Sequence, residues 1–528
     1  MTRTLWLGMG LVVALALLGR TLLLASNAVS FHSDEAVVAL MARHILQGER
    51  PVFFYGQAYM GSLDAWLVAV GFALFGESVA SIRIVQSALY LLVVASGYWV
   101  AWRLSGKVVV AVVAGLTLAV PTVLLATYTT ATLGGYNETL LLGNLLLLLG
   151  YEVTHDHVRS WWRWGLLGVA AGLGWWTNGL IVAYALPVGI LILKRLFESR
   201  QTTLLGIGVA LIGFFAGSAP WWVFAFEHDL APLRFYLGST VRGEFAGTDM
   251  FSLPFGERLI GLFFLGAPTL FGMRFPWTPT YFAPLFGAVV LLIFIIALFR
   301  LVRRSAALKP DAHLLVLSMI GLFCVLYLAS RFSTDPTGRY FLPLALPLGI
   351  VFGVFIASIR RVVFQIALVA VVLVYFAAGQ INAATTNPPG LTTQFNLVTH
   401  IPNDDDDALI AFVDEHQLYN GYTNYWISFR VAFLSGERMQ YSAALPYKPD
   451  LSYTPLDERY PTYRAATDSA ERIAYITANV PEVEAELEAL FAASNVTYQT
   501  SQVGSYRIYY DFTPPERAPR PPLPFVNP

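Results

Sequence analysis

The chain has 528 residues, of which 56% are hydrophobic and only 13% are charged. Soluble domains contain about 25% charged residues, so this composition argues against a soluble protein and indicates a polytopic membrane protein. The formal net charge of −1 gives no sign of nucleic-acid binding. The single cysteine, Cys324, excludes a disulfide framework and a cysteine metal cluster.

The first apolar run extends from Leu5 to about Ser26. It is too long for the apolar part of a signal peptide and lacks a small-x-small cleavage site before Asp34, so it is predicted to stay as a helix. A spanning helix needs about 20 mostly apolar residues. This length predicts about eleven crossings, at residues 5–26, 82–104, 107–127, 133–151, 162–179, 180–196, 203–226, 281–300, 313–330, 341–359 and 362–380.

Two adjacent carboxylates, Asp34 and Glu35, follow the first crossing. Ser33 is expected to cap a helix that begins here, and apolar residues such as Ala36 and Leu40 continue at helical spacing. Neighbouring residues on a helix point about 100° apart, so the two carboxylates should not share a role. Asp34 is predicted to be a general base, and Glu35 to have an orienting or structural role. The alternative is that both merely cap and solubilise a juxtamembrane helix.

Basic residues mark the orientation of the crossings. They gather in alternate loops, at Arg103 and Lys107; Arg159 and Arg163; Lys194, Arg195 and Arg200; Arg300, Arg303, Arg304 and Lys309; and Arg360 and Arg361. By the positive-inside rule, these loops and the N-terminus with Arg3 are cytoplasmic. Asp34 and Glu35 are then predicted to lie outside the cytoplasm.

Three outer segments are predicted. Residues 27–82 should hold two helices near the interface. Residues 227–281 contain an apolar piece, Leu259–Phe271, that is too short to cross and is expected to be interfacial or re-entrant. The third segment is the tail after Gln380.

The tail predicts a second domain. We expect a transmembrane domain over 1–387, with its first outer loop at 27–81, and a small extracytoplasmic α/β domain over 388–528. Asn-Pro-Pro-Gly at 387–390 marks the boundary. The second domain should contain helices from Asp405 and in PEVEAELEALFAAS, strands near 438–442 and 472–477, a strand pair around 496–512, and an extended proline-rich end.

Four stretches carry a family resemblance. They are SDEA at 33–36, ILQGERPVFFYGQAYMGSLDAW at 45–66, LFGESVASIRIVQSALY at 74–90 and TGRYFLPLALPL at 337–348. In this order, over about residues 1–380, they resemble the GT-C superfamily of membrane glycosyltransferases. The most similar branch contains protein O-mannosyltransferases and lipid A aminoarabinose transferases (glycosyltransferase family 39). One departure is Tyr-Met-Gly-Ser-Leu where that branch often has Lys-Pro-Pro-Leu, which leaves the donor sugar and the acceptor open.

The resemblance implies an inverting glycosyltransferase at the outer face of the cytoplasmic membrane. The expected donor is a polyprenyl-phosphate sugar, and the expected acceptor is a hydroxyl of a protein, lipid or glycan. Asp34 is the expected base. Membrane lipids should surround the protein, and no nucleic-acid partner is expected. The leaving phosphate needs positive charge, and a guanidinium presents a planar fork to phosphate. Arg339 is therefore the leading phosphate candidate, with Tyr340 adding a hydroxyl. The alternative is that Arg339 is an interfacial anchor.

The remaining substrate-binding candidates are polar or charged residues predicted near the outer face or inside a helix: Arg20, Tyr55, Gln57, Tyr59, Glu138 and Arg274. No metal ligands are predicted. A divalent metal stays compatible with the acidic pair, although no histidine cluster accompanies it. Two other functions stay open. A transporter or flippase for lipid-linked sugars should show repeated halves and charges deep in several helices, and a non-catalytic assembly protein would leave the acidic pair without a role.

Overall fold

The computed structural model describes residues 3–155, 160–237, 254–303, 308–330, 333, 335–386, 390–393, 401–448, 450–521 and 523. Within these ranges the first α-helices are α1 (Arg3–Ala25), α2 (Ser33–Leu46), α3 (Leu63–Phe75), α4 (Val79–Ser105), α5 (Val108–Ala119), α6 (Val123–Thr130), α7 (Tyr136–His155), α8 (Trp161–Thr177), α9 (Val182–Glu198), α10 (Arg200–Gly217) and α11 (Ala219–Glu227). The later ones are α12 (Ala231–Leu237), α13 (Phe255–Ile260), α14 (Ala267–Leu270), α15 (Pro284–Arg303), α16 (Pro310–Ala329), α17 (Ala345–Ala357), α18 (Val362–Thr386), α19 (Asp406–His416), α20 (Tyr425–Leu434), α21 (Pro461–Ser469) and α22 (Pro481–Ala493).

Eight helical segments among the described residues are long and apolar enough to cross a membrane, which confirms a polytopic membrane protein. A ninth is counted if α5 and α6, which are bent by 68° at a short break, form one span. Pro121 lies in that break and cannot continue the backbone hydrogen-bonding of α5, which explains why the single predicted crossing at 107–127 is two helices. The predicted crossings at 133–151 and 162–179 are helical, as α7 and α8, but do not meet the same criterion.

The apolar piece Leu259–Phe271 is also helical. It runs from α13 through a π-helical turn, Gly261–Gly266, into α14. In the described part of the chain, this run is not among the helices that are long enough to span the membrane. This agrees with the prediction that it is too short to cross. Residues 238–253 of the same outer segment lie outside the described residues.

The C-terminal part contains a five-stranded mixed sheet. Its strands are β1 (Asn420–Asn424), β2 (Gln440–Leu445), β3 (Ala474–Ala478), β4 (Thr497–Val503) and β5 (Tyr506–Thr513), in the order β2-β1-β3-β5-β4. β1 is parallel to β2 and β3, while β5 is antiparallel to β3 and β4. Val483, Leu487 and Phe491 recur at every fourth position of α22 and are buried in the core of the sheet. The predicted small α/β domain is thereby confirmed.

The described residues separate into two packing units. The first draws on Met1–Val29, Ala80–Leu233 and Gly247–Thr393, and the second on Ser30–Val79, Arg234–Ala246 and Gln394–Pro528. The outer loop with α2 and α3 thus packs with the C-terminal domain, whereas the sequence placed it in the transmembrane domain. The division of the chain at residue 388 stays a prediction, because 387–389 lie outside the described residues.

Candidate functional site

The acidic pair lies in the first turn of α2. The helix begins at Ser33, so Ser33 does not cap it: the capping position is His32, and no side chain makes a capping hydrogen bond there. The prediction for Ser33 was wrong because the helix starts one residue earlier than a serine cap requires. Asp34 and Glu35 instead place negative charge at the helix N-terminus, where it interacts favourably with the helix dipole.

The two carboxylates differ in exposure. Glu35 is completely buried. Asp34 is partly exposed, and it is the only residue between Phe31 and Ile45 that is not buried. A reacting group must be reachable by its substrate, so this difference supports the prediction that Asp34 is the chemical member of the pair and Glu35 the structural one.

Asp34 has a hydrogen-bond partner from the C-terminal domain. The Tyr425 hydroxyl donates to Asp34 Oδ1. Tyr425 is the first residue of α20, and the Asn424 side chain caps this helix by accepting from the backbone N–H groups of Trp426 at 3.0 Å and Ile427 at 3.3 Å. Burial and the nearby Asp34 carboxylate raise the pKa of Tyr425 well above its usual value. The phenol therefore stays protonated and acts as the donor.

Arg459 packs against the same tyrosine. Its guanidinium carbon lies 5.5 Å from the centre of the Tyr425 ring and 5.6 Å from that of Phe54. With the Gln57 amide oxygen turned towards the guanidinium, that oxygen accepts from Arg459 Nη1 at 2.7 Å and Nη2 at 3.1 Å, and the amide nitrogen donates to the Tyr59 hydroxyl at 3.1 Å. Gln57 thus contacts Arg459 directly, and Tyr59 is linked to Arg459 through Gln57. Both residues were predicted to bind a sugar.

A second carboxyl group, Asp457, accompanies this cluster. It is buried, and its backbone oxygen accepts from the backbone N–H of Arg459 at 2.9 Å. Burial raises the pKa of Asp457 to about 7, with the Arg459 guanidinium opposing the shift and the Asp34 carboxylate adding to it. The cluster therefore combines an accessible carboxylate with a buried carboxyl group that titrates near neutrality, a combination typical of functional sites.

Tyr55, which follows α2 in the chain, belongs to a different network that includes His44 of α2. Its hydroxyl donates to Glu49 at 2.7 Å and lies 2.8 Å from His44 Nδ1, and its ring stacks on Tyr460 at 4.8 Å. His44 Nε2 lies 2.9 Å from Glu437 Oε1. These contacts assign Tyr55 to the packing of α2 against the C-terminal domain, and its predicted sugar contact stays a prediction.

Arg339 and Tyr340 lie in the other packing unit, in the 3-10 helix Arg339–Leu344 that leads into α17. Arg339 Nη2 is 2.7 Å from Asp335 Oδ2 and donates to the Tyr340 hydroxyl at 3.2 Å. Gly338 precedes them with a φ of +80°, and a β-carbon there would lie 1.9 Å from Thr269 Oγ1. Only glycine fits this turn, and the turn sets the position of the Arg339 backbone.

The other predicted cation sites are occupied by structural contacts. Arg274 is completely buried and donates to the backbone oxygens of Leu265, Thr278 and Pro336. Arg20 is also buried, and it donates to the hydroxyls of Thr129 and Thr130. These contacts support a role in holding loops and helices together, and substrate binding by either arginine stays a prediction. Glu138 is buried in the first turn of α7.

No group of three or more histidine, cysteine, aspartate or glutamate side chains gathers at metal-binding distance among the residues that the structure describes. Asp34 and Asp457 supply two carboxyl groups to one cluster, which is fewer than the ligand set of a protein-held divalent ion. Sequence reasoning missed Tyr425, Arg459 and Asp457. The one local signal was the Asn-Tyr-Trp-Ile run at 424–427, which has the pattern of a capped helix start.

Solved structures share the architecture described above. The chain matches ArnT from Cupriavidus metallidurans bound to undecaprenyl phosphate with a TM-score of 0.62 over the whole of both chains, at 13% sequence identity. It also matches the oligosaccharyltransferase of Archaeoglobus fulgidus in its apo form, with a TM-score of 0.50 and 12% identity, over 93% of this chain and 71% of the other. The chain has the GT-C fold.

Sequence comparison finds similarity to glycosyltransferases over part of the chain. A family model described as dolichyl-phosphate-mannose-protein mannosyltransferase matches residues 62–222, less than half of the chain. An undecaprenyl phosphate-alpha-4-amino-4-deoxy-L-arabinose arabinosyl transferase from Pseudomonas savastanoi pv. phaseolicola is 26% identical over 226 residues. That alignment spans 41% of this chain and 41% of the relative. The predicted resemblance to GT-C glycosyltransferases, in the branch with mannosyl and aminoarabinose transferases, is confirmed.

Proposed function

We propose that this GT-C protein transfers a sugar from a polyprenyl-phosphate donor to an acceptor hydroxyl, with Asp34 as the general base. The observation that carries the proposal is that the Asp34 carboxylate is partly exposed in an otherwise buried helix start and accepts a hydrogen bond from a tyrosine hydroxyl. The match to a structure that contains undecaprenyl phosphate supports the class of donor.

The proposed reaction is a displacement at the anomeric carbon. Asp34 accepts the proton of the acceptor hydroxyl, whose oxygen forms the new bond to the anomeric carbon. The bond from that carbon to the phosphate oxygen breaks, and its electron pair leaves with the polyprenyl phosphate. At the anomeric carbon one bond forms and one breaks in a single displacement, so the configuration of that carbon inverts. The proton ends on Asp34 and the lipid leaves as a phosphate monoester.

Arg339 is the proposed partner of the leaving phosphate. Its guanidinium pairs with the Asp335 carboxylate, and this contact supports a preference for anionic partners. A guanidinium has five N–H donors, so it can serve Asp335 and phosphate oxygens together. Tyr340 is proposed to add a hydroxyl donor to the same phosphate. Binding of the charged leaving group at a fixed cation stabilises the charge that develops during transfer.

The proposed location is the cytoplasmic membrane, with the site on its outer face. The N-terminus would be cytoplasmic and the C-terminal domain outside, in agreement with the basic residues in alternate loops. The donor would then reach the site within the membrane, while the acceptor, a hydroxyl on a protein, lipid or glycan, would come from outside. Mass spectrometry of surface glycans from a deletion strain would identify the sugar and the acceptor.

The Asp34→Asn variant tests the base. It keeps the size of the side chain but cannot take a proton, so transfer should fall by a factor of about 10² to 10⁴. The assay uses purified protein with undecaprenyl-phosphate-linked mannose, glucose and 4-amino-4-deoxyarabinose, and with envelope membranes of the deletion strain as acceptor. Release of undecaprenyl phosphate and sugar incorporation are both measured.

Asp407→Asn is the matched control. It makes the same chemical change at an exposed position in the first turn of α19. It should transfer sugar at the wild-type rate. Both variants should insert into membranes and melt at the wild-type temperature. Near-normal transfer by a folded Asp34→Asn protein would remove Asp34 as the base.

A further inference from the structure

The hydrogen bond to Asp34 joins two distant parts of the sequence. Tyr425 and Asp34 are 391 positions apart, yet both belong to the second packing unit. The bond involves one carboxylate oxygen, Oδ1. A carboxylate has two oxygens that accept, so Oδ2 can take a proton while Oδ1 is held.

We propose that Tyr425 is a positioning residue for the proposed base Asp34, so that the C-terminal domain completes the catalytic site. This inference rests on the proposed function. The Tyr425 hydroxyl fixes the rotation of the carboxylate and directs Oδ2 towards the acceptor hydroxyl. Positioning of this kind contributes to rate because a base must lie within hydrogen-bond reach of the proton that it removes.

Tyr425 itself is held rigidly. Its side chain is buried, and its ring lies 5.1 Å from the Trp426 ring and 5.6 Å from the Phe429 ring. The Asn424 cap fixes the first turn of α20, which carries the tyrosine. A hydroxyl on a ring packed in this way can hold Asp34 in one orientation without losing much further conformational freedom on substrate binding.

Arg459 also packs against the tyrosine. The guanidinium packs on the Tyr425 ring, and Gln57 accepts two of its hydrogen bonds. Gly56, with a φ of +68°, allows this close approach, because a β-carbon there would lie 3.0 Å from Arg459 Cδ. Residues of the first outer loop therefore hold Arg459, Arg459 packs on Tyr425, and Tyr425 bonds to Asp34.

The supporting contacts give Tyr425 a role other than that of a base. The hydroxyl lies against the Asp34 carboxylate, and only its protonated form can donate to that group. Loss of the hydroxyl should leave the donor lipid bound as before but allow the carboxylate to rotate. A positioning role therefore predicts a lower kcat with an unchanged KM for the donor.

Tyr425→Phe is the principal test, because it removes one hydroxyl and keeps the ring. We expect kcat to fall by a factor of about 10 to 100, the range for losing a hydrogen bond to a charged group. The KM for undecaprenyl-phosphate-linked mannose, glucose or 4-amino-4-deoxyarabinose, whichever is turned over, should stay within about twofold. Tyr509→Phe is the control, since its hydroxyl bonds to Glu488 at 3.1 Å within the same domain.

A double-mutant cycle separates positioning from a general structural effect. If Tyr425 acts only through Asp34, then Tyr425→Phe should cause no further loss of the residual transfer in an Asp34→Asn background. Arg459→Met is the second variant, for use if Tyr425→Phe is unstable. It removes the guanidinium from the Tyr425 ring, should lower kcat several-fold, and should likewise have no effect in the Asp34→Asn background.

The outcomes distinguish the two proposals. Wild-type transfer by Asp34→Asn overturns the proposed base, and this inference with it. An inactive Asp34→Asn protein together with wild-type kcat in Tyr425→Phe overturns the positioning role alone. An additive loss in the double mutant, or a rise in donor KM, assigns Tyr425 to structure or binding and also overturns the inference.

Discussion

At the scale of single residues, Arg339, the proposed partner of the leaving phosphate, is held in place by a neighbouring carboxylate. Asp335 holds both the arginine and its loop: Oδ2 pairs with the guanidinium at 2.7 Å, while Oδ1 accepts from the Thr337 backbone at 2.8 Å and its hydroxyl at 2.5 Å. Gly338 makes the turn between them. The Asp335 carboxylate thus orients the guanidinium. A second anion that binds Arg339 has to share the guanidinium with Asp335.

Substitution of Arg339 should weaken donor binding. Arg339→Ala removes the cation, and Arg339→Lys keeps the charge without the planar fork, so the order of affinity should be wild type, Lys, Ala. We expect a loss of about tenfold or more for Arg339→Ala, as for a charge-assisted hydrogen bond. Binding of undecaprenyl phosphate to purified protein measures the effect. Arg361→Ala, an exposed arginine before α18, is the control.

Equal affinity in wild type and Arg339→Ala would assign Arg339 to anchoring at the membrane interface. A loss that is the same for Arg361→Ala would point to general attraction of an anionic lipid by positive charge. Membrane insertion of the three variants should be unchanged, because the substituted side chains lie at the ends of helices.

The residue scale also shows what a sequence can and cannot predict about the site. Asp34 was predicted as the base from its place after the first crossing and from the resemblance, and its partial exposure supports the choice over Glu35. Tyr425 could not be identified in this way. It is one of 26 tyrosines, and its contact with Asp34 depends on a long-range packing that no local pattern specifies.

At the scale of elements, α2 is attached to the C-terminal domain through Glu437. Arg43 and His44, in the last turns of α2, contact the two oxygens of Glu437 at 3.2 Å and 2.9 Å. Tyr463 of α21 donates to the same carboxylate at 2.7 Å. Burial acts to raise the pKa of Glu437, but the hydrogen bonds from His44, Tyr463 and Arg43 outweigh it and lower the pKa to about 2.

This shift predicts a pH dependence of stability. Because the folded pKa lies below the unfolded value of 4.5, the contribution of Glu437 is present above about pH 4.5 and is lost as the pH falls through about 2. At neutral pH the ionised carboxylate therefore stabilises the folded protein. Glu437→Gln should therefore lower the melting temperature at pH 7, and the difference from wild type should shrink between pH 4.5 and 2.

Thermal unfolding of the full-length protein in detergent, followed by tryptophan fluorescence at each pH, measures this effect. Glu486→Gln is the control, because Glu486 is exposed on α22. It should melt like wild type throughout. A difference between Glu437→Gln and wild type that stays constant down to pH 2 would show that the ionised carboxylate contributes nothing to the attachment of α2.

Helices were easier to predict than the places where they break. Long apolar runs specify a spanning helix by composition alone, so each predicted crossing is helical. Pro121 interrupts one of them, and α10 and α11 divide another near Pro220. β1 and α20 were not predicted, because NGYTNYWISFRVAFLSGE is aromatic throughout and has neither a clear strand nor a clear helix period.

At the scale of the whole molecule, the orientation in the membrane decides which side the proposed reaction uses. The positive-inside pattern predicts that the last turn of α15, with Arg303, is cytoplasmic and that α19 is outside. The protein has one cysteine, Cys324, so single-cysteine labelling is simple. In a Cys324→Ser background, Asp407→Cys should react with a membrane-impermeant maleimide in intact cells.

Arg303→Cys in the same background should react only after the cells are permeabilised. Both Asp407 and Arg303 are exposed, so each position is open to the reagent on its own side. The reverse pattern would place Asp34 on the cytoplasmic side and would contradict the proposed outer-face reaction. Labelling of both positions in intact cells would exclude the predicted topology altogether.

The division into two packing units has a consequence for biosynthesis. The second unit needs residues from both ends of the chain, since α2 is synthesised early and Tyr425 comes 391 positions after Asp34. At about 5–20 residues per second, the ribosome takes roughly 20 to 80 seconds to cover that distance. During this interval α2 has left the ribosome without the domain that buries it. The nascent chain therefore cannot form the Asp34–Tyr425 hydrogen bond until Tyr425 has been synthesised and has left the ribosome.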